Sequence, residues 1–440
     1  MTVAAKPMPQ GSSPGDVHSA RRSDRLPEDG NGECIAVVDP IHSGTPFLDA
    51  VDSLGFRPVP VYTLPPERLA AFKSAPWRCD QTDIPIQAES ATAALAELTE
   101  RSLSPSAVIA ATEPGVQLAD ELAGALALPH NSLRSAAARR DKIAMRKLGE
   151  VQGIAQPRFR VASGEASLAT TVADIGLPAI VKAPTGAGSH NVFLVSSMQD
   201  LGRIQTAPAV DLFGTPVARW LVEEYVRGDE YAINTFSFAG RHTLLDVWRK
   251  RLPTPHDYDQ PYWNAHQIGL DDPVRDALER FANRTLDAFE IELGPCHIEV
   301  KLAAEGPVLL ELGARLPGAH IAEAWRRIGG RDLFNATIRA RLGHDPGIVG
   351  GLGLDRYLGA VFVSNDGPPA RLRRIAGLAE ARRECVIEDV RLHYRVGDVV
   401  PTTEDLSSML LTVIVSADTV PELLRSQERV RRVIKPEVAK

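Results

Sequence analysis

Glu299 and Glu311 stand in two short apolar runs, HIEVKL and VLLELGAR. Each is the one acidic residue of its run, and Arg315 follows Glu311 by four positions. Alternation over segments this short, separated by Ala-Glu-Gly-Pro, predicts a β-hairpin. Adjacent antiparallel strands would bring the two carboxylates onto one face, where they repel each other unless a cation lies between them. Oxygen ligands beside a phosphate-bearing substrate suit Mg²⁺, which takes one or two carboxylates and completes its shell with water and phosphate oxygens. Arg315 adds a planar cation suited to a developing oxyanion or an acyl phosphate. A surface hairpin with a salt-bridged Glu/Arg pair accounts for the same residues, since charge pairs on sheets are common.

Other segments carry groups of the same chemical kind. RRDKIAMRKLGEVQGI (139–154) reads as a helix opening with basic residues, against the helix dipole. Lys142 is therefore a phosphate-contact candidate, with a solvated lysine as the alternative. In LPAIVKAP (177–184) Lys182 interrupts an apolar strand, and TGAGSHNVFLV (185–195) is a glycine-rich turn entering another strand. Gly186 and Gly188 would let backbone N–H groups approach phosphates, although most such turns only connect hairpins. No GK[ST] opens a helix there, so this is not a Walker-type loop. In WLVEEYVRGDEYAINTFSF (220–238) two strands flank RGDE, and EEYV would pass between domains. Its backbone could pair with a purine edge and Glu230 could accept from ribose hydroxyls; an acidic edge strand that resists aggregation is the plainer reading.

These groups need a scaffold. The 440 residues are 44% hydrophobic and 24% charged, enough for two or three soluble domains. A net charge of −7 argues against nucleic acid as the main partner. Cys34, Cys79, Cys296 and Cys385 lie far apart without a CxxC pair, as in a reduced, cytoplasmic chain. No apolar run is long enough for a membrane span. The first 32 residues, rich in Pro, Gly, Ser and charge, read as a disordered tail. From 33 to 130, strands (CIAVVD, RPVPVYTL, SAVIAATEPG) alternate with helices (FLDAVDSLG, ATAALAELTERSL, VQLADELAGALAL), which predicts an open α/β sheet. Ligands gather at the carboxyl ends of such strands. The HSG of 42–44 and Glu113 would lie there, with Glu113 either meeting a substrate ammonium or capping its turn. DVWRKRLP to PYWNAHQIG reads as an irregular loop near a pocket, and Trp248, Tyr262, Trp263 and Ala319 either shape that pocket or fill core. DPVRDALERFANRTLDAFE and RDLFNATIRARLG read as helices, and from about 350 the strands YLGAVFVS and LTVIVS with a terminal helix suggest a compact α+β cap.

Taken in order, Lys142, a lid-like unit with Lys182 and a glycine turn, the EEYV hinge and Glu299…Glu311-x-x-x-Arg315 resemble the ATP-grasp superfamily. The resemblance runs over roughly 34–430. Within it, VVDPIHSG, HIEVKL and ELGARLPGAH are most similar to the L-amino-acid ligases. The resemblance implies an α/β and α+β multidomain fold: a tail (1–32), an N-terminal α/β domain (33–130), an ATP-grasp domain (131–345, lid about 156–222) and a C-terminal α+β segment (346–440). It implies ATP-dependent joining of an amino acid, activated as an acyl phosphate, to an amine. An acyl transfer to a carrier protein and a carboxylase-like reaction are the alternatives. ATP and Mg²⁺ would be needed, with Mn²⁺ as a substitute; partners would be small molecules, and a homodimer is compatible.

Carried onto this chain, Lys142 and Lys182 would bind ATP phosphates under a loop of Gly186, Gly188 and Ser189. Glu223 would face the adenine amino group, with backbone atoms of Glu224 and Val226 alongside and Glu230 on the ribose. Glu299 and Glu311 would bind two metal ions. Arg315 and the backbone N–H near Gly318 would stabilise the acyl phosphate, while His297, Glu113 and Trp248 would line the substrate site. His297 and Glu113 are also the candidates for general base. Gly313 stands where many superfamily members have a metal-ligating Asn, so water or phosphate oxygen must fill that place.

Overall fold

A computed structural model of the protein describes residues 33–71, 85–207, 209–251 and 264–439. The proposed tail, Cys79, Tyr262 and Trp263 lie outside the described residues.

The N-terminal run folds as alternation of strand and helix requires. Cys34–Val38 pairs in parallel with Arg57–Tyr62 on one side and Pro105–Ala110 on the other, and Ile86–Gln87 extends the sheet beyond Arg57–Tyr62. Cys34–Val38 is buried throughout, as expected for a parallel strand covered on both faces. Its two neighbours are reached by crossovers in opposite directions, which opens a crevice beyond its carboxyl end. The loops after Val38 and after Ala110 border that crevice, and they carry His42 and Glu113.

The centre of the molecule is an eight-stranded antiparallel sheet. Its order is Gly306–Gly313, Gly294–Ala303, Asp229–Phe238, Arg241–Arg251, Asn264–Gln267, Tyr357–Val363, Leu411–Ala417 and Val386–Leu392. Two expectations are corrected here. The stretch from Asp246 to Gln267 is strand wherever it is described, not an irregular loop. Buried Asp246 and cavity-lining Lys250 share a face with Trp248, and this mixture hides the usual apolar alternation. The late strands extend the central sheet and do not form a separate cap; which sheet a strand joins is decided by contacts far apart in sequence. A small sheet of Val399–Val400, Ala370–Ala376 and Lys435–Val438 lies beside them.

The lid is a third sheet, ordered Phe159–Ala162, Trp220–Glu224, Ala179–Lys182 and Val192–Val195. It closes its own core around Leu168, Val172, Val181, Val195 and Val222. The N-terminal and central sheets instead share two continuous cores, one running from Val38 and Leu122 to Phe281 and Leu312. Between lid and platform the chain turns at Gly228 (φ 138°), where a Cβ would lie 2.1 Å from the Leu302 carbonyl oxygen. Only glycine fits there.

Candidate active site

Glu299 and Glu311 are direct partners across the antiparallel pairing of Gly294–Ala303 with Gly306–Gly313. Because side chains alternate between faces, residues two apart share a face. Glu230, Ala232 and Asn234, then His297, Glu299 and Lys301, and finally Glu311 and Gly313 thus face one cavity of about 1560 Å³. Lys142, Lys182, Glu113, Glu223, Trp248, Arg315 and Gly318 line it too, with the Gly186–His190 turn of the lid. The structure therefore brings together residues that the sequence spreads over more than two hundred positions.

Most of the catalytic candidates that carry charge are held by a counter-charge. Lys142 stands at the first position of helix Lys142–Val151, and Asp141 satisfies that helix end by accepting from the Ile143 and Ala144 amides. The Lys142 ammonium lies 3.0 Å from Glu311 and donates to the Gly186 carbonyl at 3.1 Å. Lys250, which sequence reasoning missed, donates to Glu299 (2.6 Å) and Glu230 (3.0 Å). Burial alone would raise the Glu299 carboxyl, but Lys250 and His297 outweigh it and hold it well below the usual carboxylate range. Lys182 lies 2.8 Å from Glu223, whose other oxygen takes Arg146 at 2.6 Å. Burial lowers the Lys182 ammonium and Glu223 opposes that shift. Both Glu223 oxygens are thus occupied by cations, an arrangement that sequence reading did not anticipate because Arg146 looks like any helix-surface arginine.

Arg315 donates from Nε to Glu113 at 2.7 Å, and Glu113 is only 4% exposed. Burial would lower the guanidinium pKa; Glu113 and Glu311 raise it overall, so the charge is firmly kept. This pair also accounts for Gly313. A Cβ at that position would sit 2.9 Å from Glu113 Oε2 and 3.3 Å from Arg315 Cζ. A larger side chain at 313 would push the two apart.

His297 is fixed on both sides, with Nδ1 2.7 Å from Asn234 Oδ1 and Nε2 3.2 Å from Glu299. Asn234 donates in turn to Asp246, a fully enclosed carboxylate that also accepts from Trp248, Trp325 and Gln267. Burial raises the Asp246 carboxyl in spite of these four donors. Trp248 is held to that carboxylate and still borders the cavity. At the hinge, Val226 accepts from Lys301 at 2.9 Å, and the Glu224 carboxylate pairs with Arg158 at 2.7 Å.

Among the described residues, no three His, Cys, Asp or Glu side chains close into a metal cage. Two opposed carboxylates that already hold two ammonium groups fit a hard divalent cation whose remaining shell is water and phosphate. No helix of the described residues is long and apolar enough to cross a membrane.

The chain is similar to known proteins in sequence and in fold. Residues 175–323 match the ATP-grasp domain family. The dapdiamide A synthase of Enterobacter agglomerans is 26% identical over 297 residues, covering 66% of this chain and 68% of that protein. The crystal structure of an L-amino acid ligase from Bacillus licheniformis superposes with a TM-score of 0.74 at 16% identity, over 93% of this chain and 99% of that one. The biotin carboxylase domain of Hydrogenobacter thermophilus 2-oxoglutarate carboxylase, solved with MgADP, ADP and bicarbonate, superposes with a TM-score of 0.60 at 12% identity, over 92% and 91%. Residues 175–323 thus match an ATP-grasp domain, within a chain that is similar to amino-acid ligases in sequence and in fold.

Proposed function

We propose that the protein is an ATP-dependent carboxylate–amine ligase that activates an amino acid as its acyl phosphate and joins it to an amine, with a second amino acid as the acceptor. One observation carries this reading: Glu299 and Glu311 are in register on neighbouring strands and share a cavity with Lys142, Lys182 and Arg315. Its volume, about 1560 Å³, exceeds the roughly 300–1,000 Å³ of a common single-ligand pocket, so a nucleotide and two small substrates fit together.

A carboxylate is a poor acyl donor because oxide would have to leave. Transfer of the ATP γ-phosphoryl group gives that oxygen a good leaving group. Two anions must approach for this, and each cation in the cavity has a part. Lys142 and Lys250 exchange their carboxylate partners for phosphate oxygens when nucleotide enters, while Lys182 reaches the phosphates from the lid. Arg315, steadied by Glu113, faces the acyl phosphate and the tetrahedral oxyanion, with the Gly318 N–H beside it. Glu299 and Glu311 would hold Mg²⁺, or Mn²⁺ in its place, and the bound ion would supply further neutralisation of phosphoryl charge. Closure of the Gly186–Ser189 turn keeps water from the acyl phosphate. Adenine lies along the hinge backbone at Glu224 and Val226, with the ribose on Glu230. Glu223 anchors Lys182 at that end of the site.

The test is direct. The protein is incubated with ATP, Mg²⁺ and single or paired amino acids while phosphate release and product mass are followed. Amino-acid-dependent phosphate release with a new amide mass is expected; phosphate release without any amide would remove the ligase assignment.

A further inference from the structure

An amine nucleophile reaches the site largely as its ammonium ion at neutral pH and must lose a proton to attack. The two bases that the sequence suggests are otherwise engaged. Glu113 is locked in a buried pair with Arg315. His297 lies between Asn234 and the metal-binding candidate Glu299.

A third group stands in the same cavity. The loop that leaves Arg315 ends in two successive left-handed residues, Ala319 (φ 55°) and His320 (φ 58°). Non-glycine residues hold such a backbone only where the surrounding fold enforces it, and strain of this kind gathers at functional sites. His320 borders the cavity, and its Nδ1 lies against Glu323 Oε2 in a short hydrogen bond. An ionised carboxylate only accepts, so Nδ1 carries the hydrogen and the neutral ring keeps its lone pair on Nε2. Nε2 has no hydrogen-bond partner among the described residues. Arg391, from the far edge of the central sheet, donates to the same Glu323 oxygen at 3.1 Å and also pairs with Asp389. Burial would raise the Glu323 carboxyl, but His320 and Arg391 hold it below the usual carboxylate range, so it stays ionised. The other titratable groups facing the ring are His42 and His393. Loss of bulk water, with His320 and His393 nearby, lowers His42 to about 4, so it is uncharged at neutral pH. His393, lowered by burial and by His320 and Arg391, is held through Nε2 by Thr412 at 3.1 Å.

We propose that His320, oriented by Glu323, is the base that takes the proton from the attacking amine. The proposal rests on the ligase reading above. His320 Nε2 first takes one proton from the bound ammonium, which frees the nitrogen lone pair to bond to the acyl carbon; the second N–H proton leaves with the departing phosphate. The tetrahedral centre collapses, the C–O bond to phosphate breaks with its electron pair leaving on phosphate, and the imidazolium returns its proton to solvent. Glu323 is a positioning residue that fixes the tautomer and stabilises the imidazolium, as a carboxylate does behind any catalytic imidazole.

Hydroxylamine separates this role from others, because it is largely unprotonated at neutral pH and needs no base. His320→Asn is the variant of choice, since Asn tolerates the left-handed backbone. Wild type and variant are given ATP, Mg²⁺ and a pool of the twenty common amino acids, with and without hydroxylamine. Hydroxamate and amide products are quantified, and a urea melt monitors folding. Amide formation is expected to fall by about 10²-fold or more in the variant, with hydroxamate formation near wild type. Glu323→Gln is expected to lower amide formation and leave hydroxamate formation near wild type, because the ring loses the carboxylate that holds its tautomer. Parallel loss of amide and hydroxamate, or amide formation unchanged in His320→Asn, would overturn the assignment. A wild type that forms neither product would instead remove the ligase reading, and this proposal with it.

Discussion

The lid and the platform each bring lysine to the same cavity, yet they are held in different ways. Platform residues are fixed through shared cores and buried ions. Asp120, 1% exposed, pairs at 2.9 Å with both Arg139 and Arg341 and so ties the N-terminal sheet to the helix Leu333–Arg341. The lid has a core of its own and reaches the remainder through one small apolar cluster, in which Phe213 packs with Ile41, Tyr62, Leu64 and Leu69, and through polar contacts: Lys142 to the Gly186 carbonyl, Leu406 N–H to the Gly188 carbonyl (3.0 Å) and His190 to Asp405 (2.7 Å). Hydrogen bonds of this sort contribute about 1 kcal/mol each, and the apolar cluster is much smaller than the two shared cores, so the lid is the more weakly held of the two parts. The proposed metal-binding carboxylates Glu299 and Glu311 belong to the firmly held part, and the Gly186–Ser189 turn proposed to close over nucleotide belongs to the more weakly held part.

The largest effect should come from the platform's chemistry. Glu311→Gln is expected to lower amino-acid-dependent phosphate release by about 10³-fold or more, with an unchanged thermal melt. Near-normal turnover would remove it as a metal ligand. Asp120→Ala should cost about 3–5 kcal/mol in urea unfolding, because it leaves two buried guanidinium groups without their anion. A loss below about 1 kcal/mol would show that the platform does not depend on that triad.

The platform should also be acid-sensitive. Burial, with Arg249 and Arg251 nearby, lowers His266 to about 4, below its unfolded value. The folded state therefore favours the neutral ring, and that contribution is present above about pH 6.5 and lost as pH falls towards 4, up to about 3 kcal/mol. Replacement by Gln should flatten the stability profile in that window.

Lid variants should be milder. Lys182→Ala is expected to weaken nucleotide binding by about 10-fold or more while amino-acid binding changes little; equal losses would remove Lys182 from the phosphates. Asp405→Asn should raise the ATP KM a few-fold with no loss of stability, and an unfolded variant would place that contact in the platform's class instead.

The same contrast governs what could be read from sequence. The hairpin, the lid strands and the glycine turn were legible because alternation and turn chemistry are local; Glu299, Glu311 and Lys182 were visible as charges inside apolar runs, Lys142 as a basic residue at a helix start and Arg315 by its spacing from Glu311. Lys250 was passed over because it stands between Arg249 and Arg251, so it interrupts no apolar run. The partners Arg146, Glu323 and Asp405 were not legible, since each acts on a residue that only the fold brings near. Gly313 looked like a missing ligand, and only the geometry shows it making room for the Glu113–Arg315 pair.

The most direct measurement is a crystal structure of the protein with ADP and Mn²⁺, with the metal located by anomalous scattering. The account expects manganese bound directly by both Glu299 and Glu311 beside the nucleotide phosphates, with Lys142 and Lys250 moved from carboxylate to phosphate. Manganese elsewhere, or carboxylates still held by those two lysines with nucleotide bound, would contradict it.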